Sequence, residues 1–245
     1  MEMIPKKLLK EPLIEVIWEV RFNIPGLSEV LSGILYSELK QTHQNLKIQR
    51  LPICEIPFSI VEINPSLQYL PKIRIESNDS LLWQIGEYNI TLNCRKPYIG
   101  WNRFKESIND LSEIIKNSGL ITVLSRHSLR YIDLFSYNIV PELSGLQLHI
   151  HLGSYKVKND PLQMRLEILS NNVRHIIQIA NPVTVDLPDG QQTGIIVDIE
   201  TIAIENKIDW FIIWDQLELL HESSKKLFFN DILAKETIEK LEPEY

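Results

Sequence analysis

The chain has 245 residues, of which 44% are hydrophobic and 23% charged, and this composition is typical of a globular protein with a sizeable buried core. Its net charge of −7 disfavours a general nucleic-acid-binding scaffold, because an acidic surface repels phosphates. The two cysteines form no C-x-x-C motif. The first residues lack the apolar segment of a signal peptide, and the apolar runs are too short for a membrane span. We therefore expect a reduced, cytoplasmic protein.

The first predicted element is a strand from Leu13 to Ile24. Its even positions are all apolar, whereas its odd positions mix apolar, acidic and basic residues. Such period-two alternation is typical of a strand with one face on a core. The other face carries Glu15, Glu19 and Arg21, which are unusual neighbours for apolar residues in a half-buried strand.

Helical and strand patterns follow in turn. After a Pro-Gly turn, an apolar stripe predicts a helix from Ser28 to about Asn45. The segment 51–72 contains four prolines among many apolar residues, which predicts an extended, ordered connection. Alternating residues then predict three antiparallel strands over 73–95, and apolar residues at helical spacing predict a helix from Trp101 to Asn117.

The second half of the chain repeats this theme. A second charged strand covers Ser125 to Phe135, where arginines and an aspartate stand among apolar residues. Four further strands are predicted from alternation, at 146–152, 162–168, 173–180 and 194–205. The segment 183–193 is predicted as a turn-rich loop, and helices are predicted from Asp209 onward and from about Lys235 to Leu241.

Runs of adjacent strands with long helices predict an α+β fold rather than a doubly wound parallel sheet. We expect two successive antiparallel β-sheet halves, each with a long amphipathic helix packed on one face. The predicted halves are residues 1–140 and 141–245, packed together as one unit.

The two charged strands supply the candidate ligand-binding residues. They are Glu15, Glu19, Arg21, Arg126, Arg130, Tyr131 and Asp133. If the two strands are neighbours, carboxylate–guanidinium pairs form readily between them. Two interpretations stay open from sequence: a polar cleft that binds an anion or a polar ligand, or an ion-pair network that fixes strand register.

Metal and catalytic chemistry have weaker support. His149 and His151 share a predicted strand face and are weak metal-ligand candidates, which Asp198 and Glu200 could complete. The opposite face of that strand is apolar, so both histidines are expected to face solvent, and no third histidine stands at ligand spacing. The chain has no G-x-S-x-G elbow, P-loop or G-x-G-x-x-G motif, so we assign no catalytic residue and no cofactor, and a non-enzymatic role is favoured.

Two surfaces are candidates for macromolecular contacts. Trp210, Phe211 and Trp214 widen the apolar coverage of the last long helix, and they either pack against the sheet or bind a partner protein or a second copy. A local basic patch is a candidate for nucleic-acid contact. Its residues are Lys47, Arg50, Lys72, Arg74, Arg95, Lys96 and Arg103.

Several short motifs together resemble a known family. The opening strand has the pattern PLxExxxExRF over Pro12–Phe22, and the mid-chain strand has RxxLRYID over Arg126–Asp133. The further matching positions are Trp101 and Phe104 in a helix, Asp198 in a strand, Leu217 to Leu220 in the terminal helix, and Phe228. In order and spacing, nearly the whole chain resembles a sporadically distributed prokaryotic family whose activity is not established. The resemblance implies mobile or defence-associated gene neighbourhoods and a role as a partner in a multi-protein system, and it implies no catalytic residues.

The expected function is a non-enzymatic interaction subunit of a multi-component prokaryotic complex, with antiviral defence as the implied context. We expect binding to another protein subunit or self-association, and no membrane attachment. One alternative is a small-molecule or anionic-ligand-binding protein or enzyme that uses the charged strand faces. A second alternative is nucleic-acid contact through the local basic patch.

Overall fold

The computed structural model describes residues 4–65, 67–170, 172–205 and 208–245. The chain divides into two compact units that interleave along the sequence. Unit 1 comprises Met1–Ile14, Arg130–Thr201 and Glu218–Tyr245, and unit 2 comprises Glu15–Leu129 and Ile202–Leu217. This division differs from the predicted halves 1–140 and 141–245, because the chain returns to unit 2 at Ile202 after most of unit 1 is built.

The described residues form the following elements. The strands are β1 (Lys7–Leu8), β2 (Leu13–Arg21), β3 (Lys47–Arg50), β4 (Pro71–Glu76), β5 (Leu81–Gly86), β6 (Asn89–Arg95), β7 (Arg126–Ser136), β8 (Ile150–Leu152), β9 (Tyr155–Val157), β10 (Leu162–Ser170), β11 (Val173–Leu187), β12 (Gly190–Ala203) and β13 (Pro243–Glu244). The helices are α1 (Ser28–Thr42), α2 (Phe58–Ile63), α3 (Trp101–Asn117), α4 (Ile213–Leu227) and α5 (Lys235–Lys240). None of these helices is long and apolar enough to cross a membrane.

Most strands belong to one large sheet. Its nine strands follow the order β10-β11-β12-β7-β2-β6-β5-β4-β3, while β1 pairs with β13 and β8 with β9 in separate two-stranded sheets. The strand pairs with described registers are all antiparallel. A mixed architecture with a large antiparallel sheet and several helices is therefore confirmed.

In unit 2, the alternation of β2 separates an apolar sheet face from a polar one. Val16, Trp18, Val20 and Phe22 are fully buried, as their even positions predict. The same face is continued by apolar residues of the neighbouring strands, namely Ile90, Leu92, Cys94, Trp83, Ile85, Ile73 and Ile75. The odd positions of β2 lie on the opposite face, which carries the candidate site.

Two amphipathic helices cover the apolar face in unit 2. α3 has the bounds that the sequence predicts, and α1 begins at the predicted Ser28 but ends earlier, at Thr42. The buried residues of α3 are Phe104, Ile108, Leu111 and Ile115. α1 contacts α3, β4 and β5, and α3 contacts β6, so both helices pack on the sheet of their own unit.

Unit 1 has an apolar core of its own. Its fully buried members include Phe135, Val140, Leu143, Ile195, Val197, Ile199 and Leu241. Leu162, Met164 and Ile168 of β10 pack against this core and are only partly buried. One face of β10 is therefore tied to the core of unit 1 by apolar contacts.

The proline-rich segment differs from the predicted extended connection. Pro52 begins a 3₁₀ helix that ends at Glu55, and Pro57 is the N-cap residue of α2. A proline is tolerated at the start of a helix because the N–H that it lacks would have no intrahelical partner there. Two of the four prolines of this segment therefore stand at the starts of short helices, which the sequence pattern does not predict.

The predicted loop over 183–193 is instead the end of a long β-hairpin. β11 continues to Leu187 and β12 begins at Gly190. The hydroxyls of Thr184 and Thr193 lie 2.9 Å apart and form a hydrogen bond across the two strands. Several β-branched residues follow Pro182, and their strand preference extends β11 beyond the proline.

Candidate functional site

One face of the sheet in unit 2 carries charged and amide side chains. The register of β2 with β6 places Glu19 opposite Thr91 and Arg21 opposite Asn89. We call this group the polar strip. Its residues are Glu15, Glu19, Arg21, Arg74, Glu76, Asn89, Thr91, Asn93, Arg95 and Arg126. Four of its side chains are guanidinium groups and three are carboxylates, so the polar strip has an excess of positive charge.

Glu19 lies at the centre of the polar strip and is only 9% exposed. One of its oxygens accepts a hydrogen bond from Nδ2 of Asn89 at 2.8 Å. Its other oxygen accepts a hydrogen bond from Nε of Arg21 at 3.0 Å and lies 3.9 Å from Nε of Arg126. The guanidinium of Arg21 also lies 3.8 Å from the ring centroid of Tyr69. These partners replace the water that a buried carboxylate loses.

Glu15 is held by a chain of neutral side chains on β6. Thr91 donates a hydrogen bond from Oγ1 to Oδ1 of Asn93 at 2.7 Å. Asn93 then donates from Nδ2 to Oε1 of Glu15 at 2.8 Å, and Nε of Arg95 lies 3.9 Å from the same oxygen. Thr91 and Asn93 are buried, so the hydrogen-bonding groups of the polar strip are directed at one another.

A further buried carboxylate in unit 2, Glu87, holds the turn between β2 and α1. It accepts hydrogen bonds from the backbone N–H of Gly26 and, at 3.5 Å, from the hydroxyl of Ser28, and it forms an ion pair with Lys72. Burial acts to raise the pKa of Glu87, but hydrogen bonds from these three groups and the charge of Lys72 outweigh burial and lower the pKa. No sequence pattern described above predicts this role of Glu87.

His127 is a second buried polar group that sequence reasoning missed. Trp18 donates from Nε1 to Nε2 of His127 at 2.9 Å, and Nδ1 of His127 lies 3.0 Å from Oε1 of Gln216. Because an indole N–H can only donate, Nε2 accepts, so the proton of the neutral ring is on Nδ1 and is donated to Gln216. Burial lowers the pKa of His127 to about 4, so the ring is neutral at physiological pH.

In unit 1, the charged strand β7 contributes Arg130 and Tyr131. Arg130 binds Asp198 through two parallel contacts, with Nε 2.7 Å from Oδ1 and Nη2 close to Oδ2. Gln178 donates a further hydrogen bond to Oδ2 of Asp198 at 3.3 Å. The hydroxyl of Tyr131 forms a hydrogen bond with Nδ1 of His221 at 2.7 Å. Both predicted site residues therefore contact partners within unit 1.

Asp133 is the remaining predicted site residue of unit 1 and is only 4% exposed. Burial raises the pKa of Asp133 to about 8, and the charges of Asp198 and Glu11 act in the same direction. No cation of the described residues lowers it. The Asp133 carboxyl therefore holds its proton at neutral pH, in contrast to Glu87 of unit 2, whose pKa is lowered.

The three aromatic residues near the start of α4 have different surroundings. Trp210 is partly buried and donates from Nε1 to the carbonyl oxygen of Ile121 at 2.7 Å. Phe211 is 80% exposed and Trp214 is 42% exposed. Nζ of Lys116 lies 5.1 Å from the ring centroid of Phe211, and Nζ of Lys105 lies 4.5 Å from that of Trp214. We call Lys105, Lys116, Phe211 and Trp214 the aromatic surface.

The weak metal candidates lie on the surface. His149 precedes β8 and His151 lies within it, and both are exposed. Asp198, which could have completed such a site, contacts Arg130. The described residues contain no group of three or more His, Cys, Asp or Glu side chains placed to bind a metal ion.

Several side chains of the basic patch lie beside carboxylates. Arg50 lies 2.7 Å from Glu29, and Lys72 forms its ion pair with Glu87. Arg74 and Arg95 both lie within 4 Å of Glu76, at 3.4 and 3.7 Å. Nearby carboxylates weaken the attraction of such cations for phosphates.

The seven predicted ligand-binding residues thus divide between the two units. Glu15, Glu19, Arg21 and Arg126 belong to the polar strip of unit 2, whereas Arg130, Tyr131 and Asp133 belong to unit 1. This arrangement most directly supports a structural role, in which the charged residues form ion pairs and hydrogen bonds within their own unit. Comparison with models of known protein families gives no match. Comparison with curated protein sequences also gives no match.

Proposed function

We propose that the chain is a non-enzymatic interaction subunit of a multi-component prokaryotic complex and that the aromatic surface binds an acidic segment of a partner protein. The observation that carries this proposal is the exposure of Phe211, 80%, beside the partly exposed Trp214, with a lysine over each ring. Exposed aromatic rings cost free energy in water, and such residues recur as the anchors of protein interfaces.

The chemistry of the aromatic surface favours an acidic partner segment. Two apolar rings bury the partner's apolar side chains, while Lys105 and Lys116 attract carboxylates at the rim. The surface is also held in place: Oδ1 of Asp209 accepts a hydrogen bond from the backbone N–H of Phe211 at 2.9 Å, and Trp210 is anchored to the carbonyl of Ile121. A surface that is ordered before binding loses less conformational entropy on association.

Binding of an anionic ligand to the polar strip is a second candidate, supported by its excess of arginine over glutamate. The pairing of Glu19 with Arg21 and the hydrogen bond from Asn93 to Glu15 favour a structural role for the same residues. Isothermal titration with inorganic phosphate, comparing the wild type with Arg95→Gln, tests this candidate. Heat of binding that Arg95→Gln abolishes would support it, and no heat from the wild type would remove it.

The wider setting is part of the same proposal. The family resemblance supports a defence-associated context, and the low cysteine content supports a cytoplasmic location. The finer architecture of two halves, each with a long amphipathic helix packed on one face, belongs to the same proposal, and α1 and α3 on the sheet of unit 2 support it for one half. Nucleic-acid contact through the basic patch has less support, because several of its cations lie beside carboxylates.

The test uses the full chain expressed in its native host. A partner is isolated with the wild type, identified, purified, and its dissociation constant measured by calorimetry. Phe211→Ala with Trp214→Ala is expected to weaken binding about a hundredfold or more, because two aromatic anchors are lost. Lys105→Glu with Lys116→Glu is expected to weaken binding and remove most of its salt dependence.

Leu152→Ala provides the matched control. Leu152 is an exposed leucine on β8 in unit 1, and it is distant in the sequence from the residues of the aromatic surface. We expect its dissociation constant to equal that of the wild type. A partner that binds the double alanine variant as tightly as it binds the wild type would exclude the aromatic surface as its docking site.

A further inference from the structure

β10 forms one edge of the nine-stranded sheet. It stands at the end of the strand order beside β11, and no described strand pairs with its other side. Along an edge strand, every second residue directs its backbone N–H and C=O away from the neighbouring strand, where they are available to another strand. β10 is nine residues long, Leu162–Ser170, and therefore offers a long row of such groups.

The other edge of the sheet is built differently. β3 has only four residues, Lys47–Arg50, all of them exposed, with a basic residue at each end. Short edge strands with basic side chains disfavour pairing with another copy, because like charges are brought together. β10 is more than twice as long as β3 and its two charges are of opposite sign, so the two edges of the sheet are unequal.

The side chains of β10 leave apolar area exposed at this edge. Leu162, Met164 and Ile168 pack on the core of unit 1, but Leu166 on the same face is 46% exposed. Leu169, on the other face, is 69% exposed. A long edge strand with exposed leucines is a surface on which an added strand would bury apolar area.

The two charges of β10 flank its central residue. Arg165 and Glu167 are about half exposed, and Nη2 of Arg165 lies 2.6 Å from Oε1 of Glu167. Consider two identical strands paired antiparallel about a two-fold axis at Leu166. Leu166 then lies opposite Leu166 of the second copy, and the numbers of any two opposite residues sum to 332, twice 166. Arg165 then lies opposite Glu167 of the second copy, and Glu167 lies opposite Arg165 of the second copy. Opposite charges at directly opposed positions stabilise a strand pair.

Other positions of the axis are less favourable. An axis at Arg165 would oppose two arginines, and an axis at Glu167 would oppose two glutamates. An axis between two residues would oppose side chains from different faces of the sheet, which the pleat forbids. An axis at Leu166 is also the midpoint of Leu162–Ser170, so it pairs all nine residues of β10.

We propose that β10 pairs antiparallel with β10 of a second copy of this chain, with the two-fold axis at Leu166. The interface joins the backbone groups of the two edges, places the exposed Leu166 of one copy opposite Leu166 of the other, and forms two Arg165–Glu167 pairs between the copies. It does not use the aromatic surface, so it stands or falls independently of the proposed partner interface.

Charge reversal tests the register as well as the interface. Sedimentation equilibrium of the wild type is expected to show a dimer of twice 28.6 kDa. Arg165→Glu opposes two pairs of glutamates, and Glu167→Arg opposes two pairs of arginines. Each variant alone is expected to raise the dimer dissociation constant about tenfold or more. A one-to-one mixture of the two variants restores complementary pairs, so heterodimers form with an affinity close to that of the wild type.

The two reversals change the net charge in opposite directions, so a shared effect cannot come from net charge. Arg174→Glu is the matched control, because Arg174 is exposed on β11, an interior strand of the sheet, and this variant is expected to dimerise as the wild type does. Thermal unfolding confirms that each variant is folded. A wild type that stays at 28.6 kDa up to about 0.1 mM, or a mixture no more dimeric than its components, would overturn the proposal.

Discussion

The two units stabilise buried acidic groups in different ways. In unit 2, Glu19 and Glu87 each contact a cation and hydrogen-bond donors, and these contacts lower the pKa of Glu87. In unit 1, Asp133 is buried, no cation or donor among the described residues lowers its pKa, and it is neutral because it holds a proton. A paired carboxylate stabilises the fold over a wide pH range, whereas a protonated one makes stability fall with rising pH. The same residue chemistry thus has opposite consequences for pH dependence in the two units.

The largest effect on the free energy of unfolding is expected at Asp133, where a substitution tests the contrast between the two units. The pKa of Asp133 is about 8 in the folded chain, against an ordinary value of 3.8, so between these values the unfolded chain loses the proton and the folded chain keeps it. Wild-type stability therefore falls as pH rises from about 4 to 8. Asp133→Asn cannot ionise, so its free energy of unfolding relative to the wild type rises across that window, on the order of several kcal/mol.

Urea unfolding at pH 5, 6, 7 and 8 measures this difference. Asp189→Asn, at an exposed position of the β11–β12 hairpin, is the control and should follow the wild type at every pH. Parallel curves for Asp133→Asn and the wild type would show that Asp133 is ionised in the folded chain.

The next effect concerns the paired carboxylate of unit 2. Glu19→Ala leaves Arg21, Arg126 and Asn89 without the carboxylate that they surround. We expect a loss of about 3 kcal/mol in the free energy of unfolding, because removing one partner of a buried ion pair strands the other. Glu29→Ala removes the exposed pair with Arg50 and should cost less than about 1 kcal/mol. Equal losses for the two variants would mean that Glu19 is as well solvated as Glu29.

A smaller loss is expected from the hydrogen-bonded chain around His127. Trp18→Phe keeps an aromatic ring in the core and removes the indole donor to Nε2 of His127. A buried acceptor without a partner costs about 2 kcal/mol. The imidazole ring of His127 loses its contact with Trp18 in this variant, and a shift of the imidazole proton resonances in NMR spectra would report that loss. Val16→Ala supplies a packing control, since it removes apolar volume on the same face and leaves the imidazole resonances in place.

The smallest effect is expected for Arg130→Gln in unit 1. Asp198 is buried, but it keeps the hydrogen bond from Gln178, and the amide that Arg130→Gln introduces can donate in place of the partly exposed guanidinium. We expect a loss of about 1 kcal/mol in the free energy of unfolding, measured by urea titration at pH 7. A loss as large as that of Glu19→Ala would mean that the Arg130–Asp198 ion pair stabilises the fold as much as the contacts of Glu19 do.

Local patterns in the sequence predict those parts of the fold that depend on neighbouring residues. The parity of β2 predicts its fully buried apolar residues Val16, Trp18 and Val20, and the spacing of apolar residues predicts both ends of α3. The hairpin of β11 and β12 was missed because Pro182 and the Pro188–Gly190 turn together suggested one long loop. The short helix α2 is not predicted by the sequence pattern, because closely spaced prolines exclude a helix interior and no local signal shows that Pro57 precedes a helix.

The site was predictable as a set of charged residues and not as a set of contacts. The odd face of β2 predicts three charged members of the polar strip, Glu15, Glu19 and Arg21. Their partners on β6, Asn89 and Asn93, lie 70 and 78 residues from Glu19 and Glu15, so only strand pairing brings them together. His127 and Gln216 are 89 residues apart in the sequence. Neither residue interrupts a periodic pattern of apolar residues, so no local signal marks the two as partners.

The interleaving of the two units has a consequence for synthesis on the ribosome. The chain grows from its N-terminal towards its C-terminal side, and unit 2 is complete only when Ile202–Leu217 has emerged. Until then His127 lacks Gln216, and the carbonyl of Ile121 lacks the indole of Trp210. Glu218–Tyr245 then completes unit 1, so both units become whole late, within a short interval of translation. A nascent chain that pauses before Ile202 therefore holds two unfinished units, and it is at this stage that a chaperone would find its binding sites.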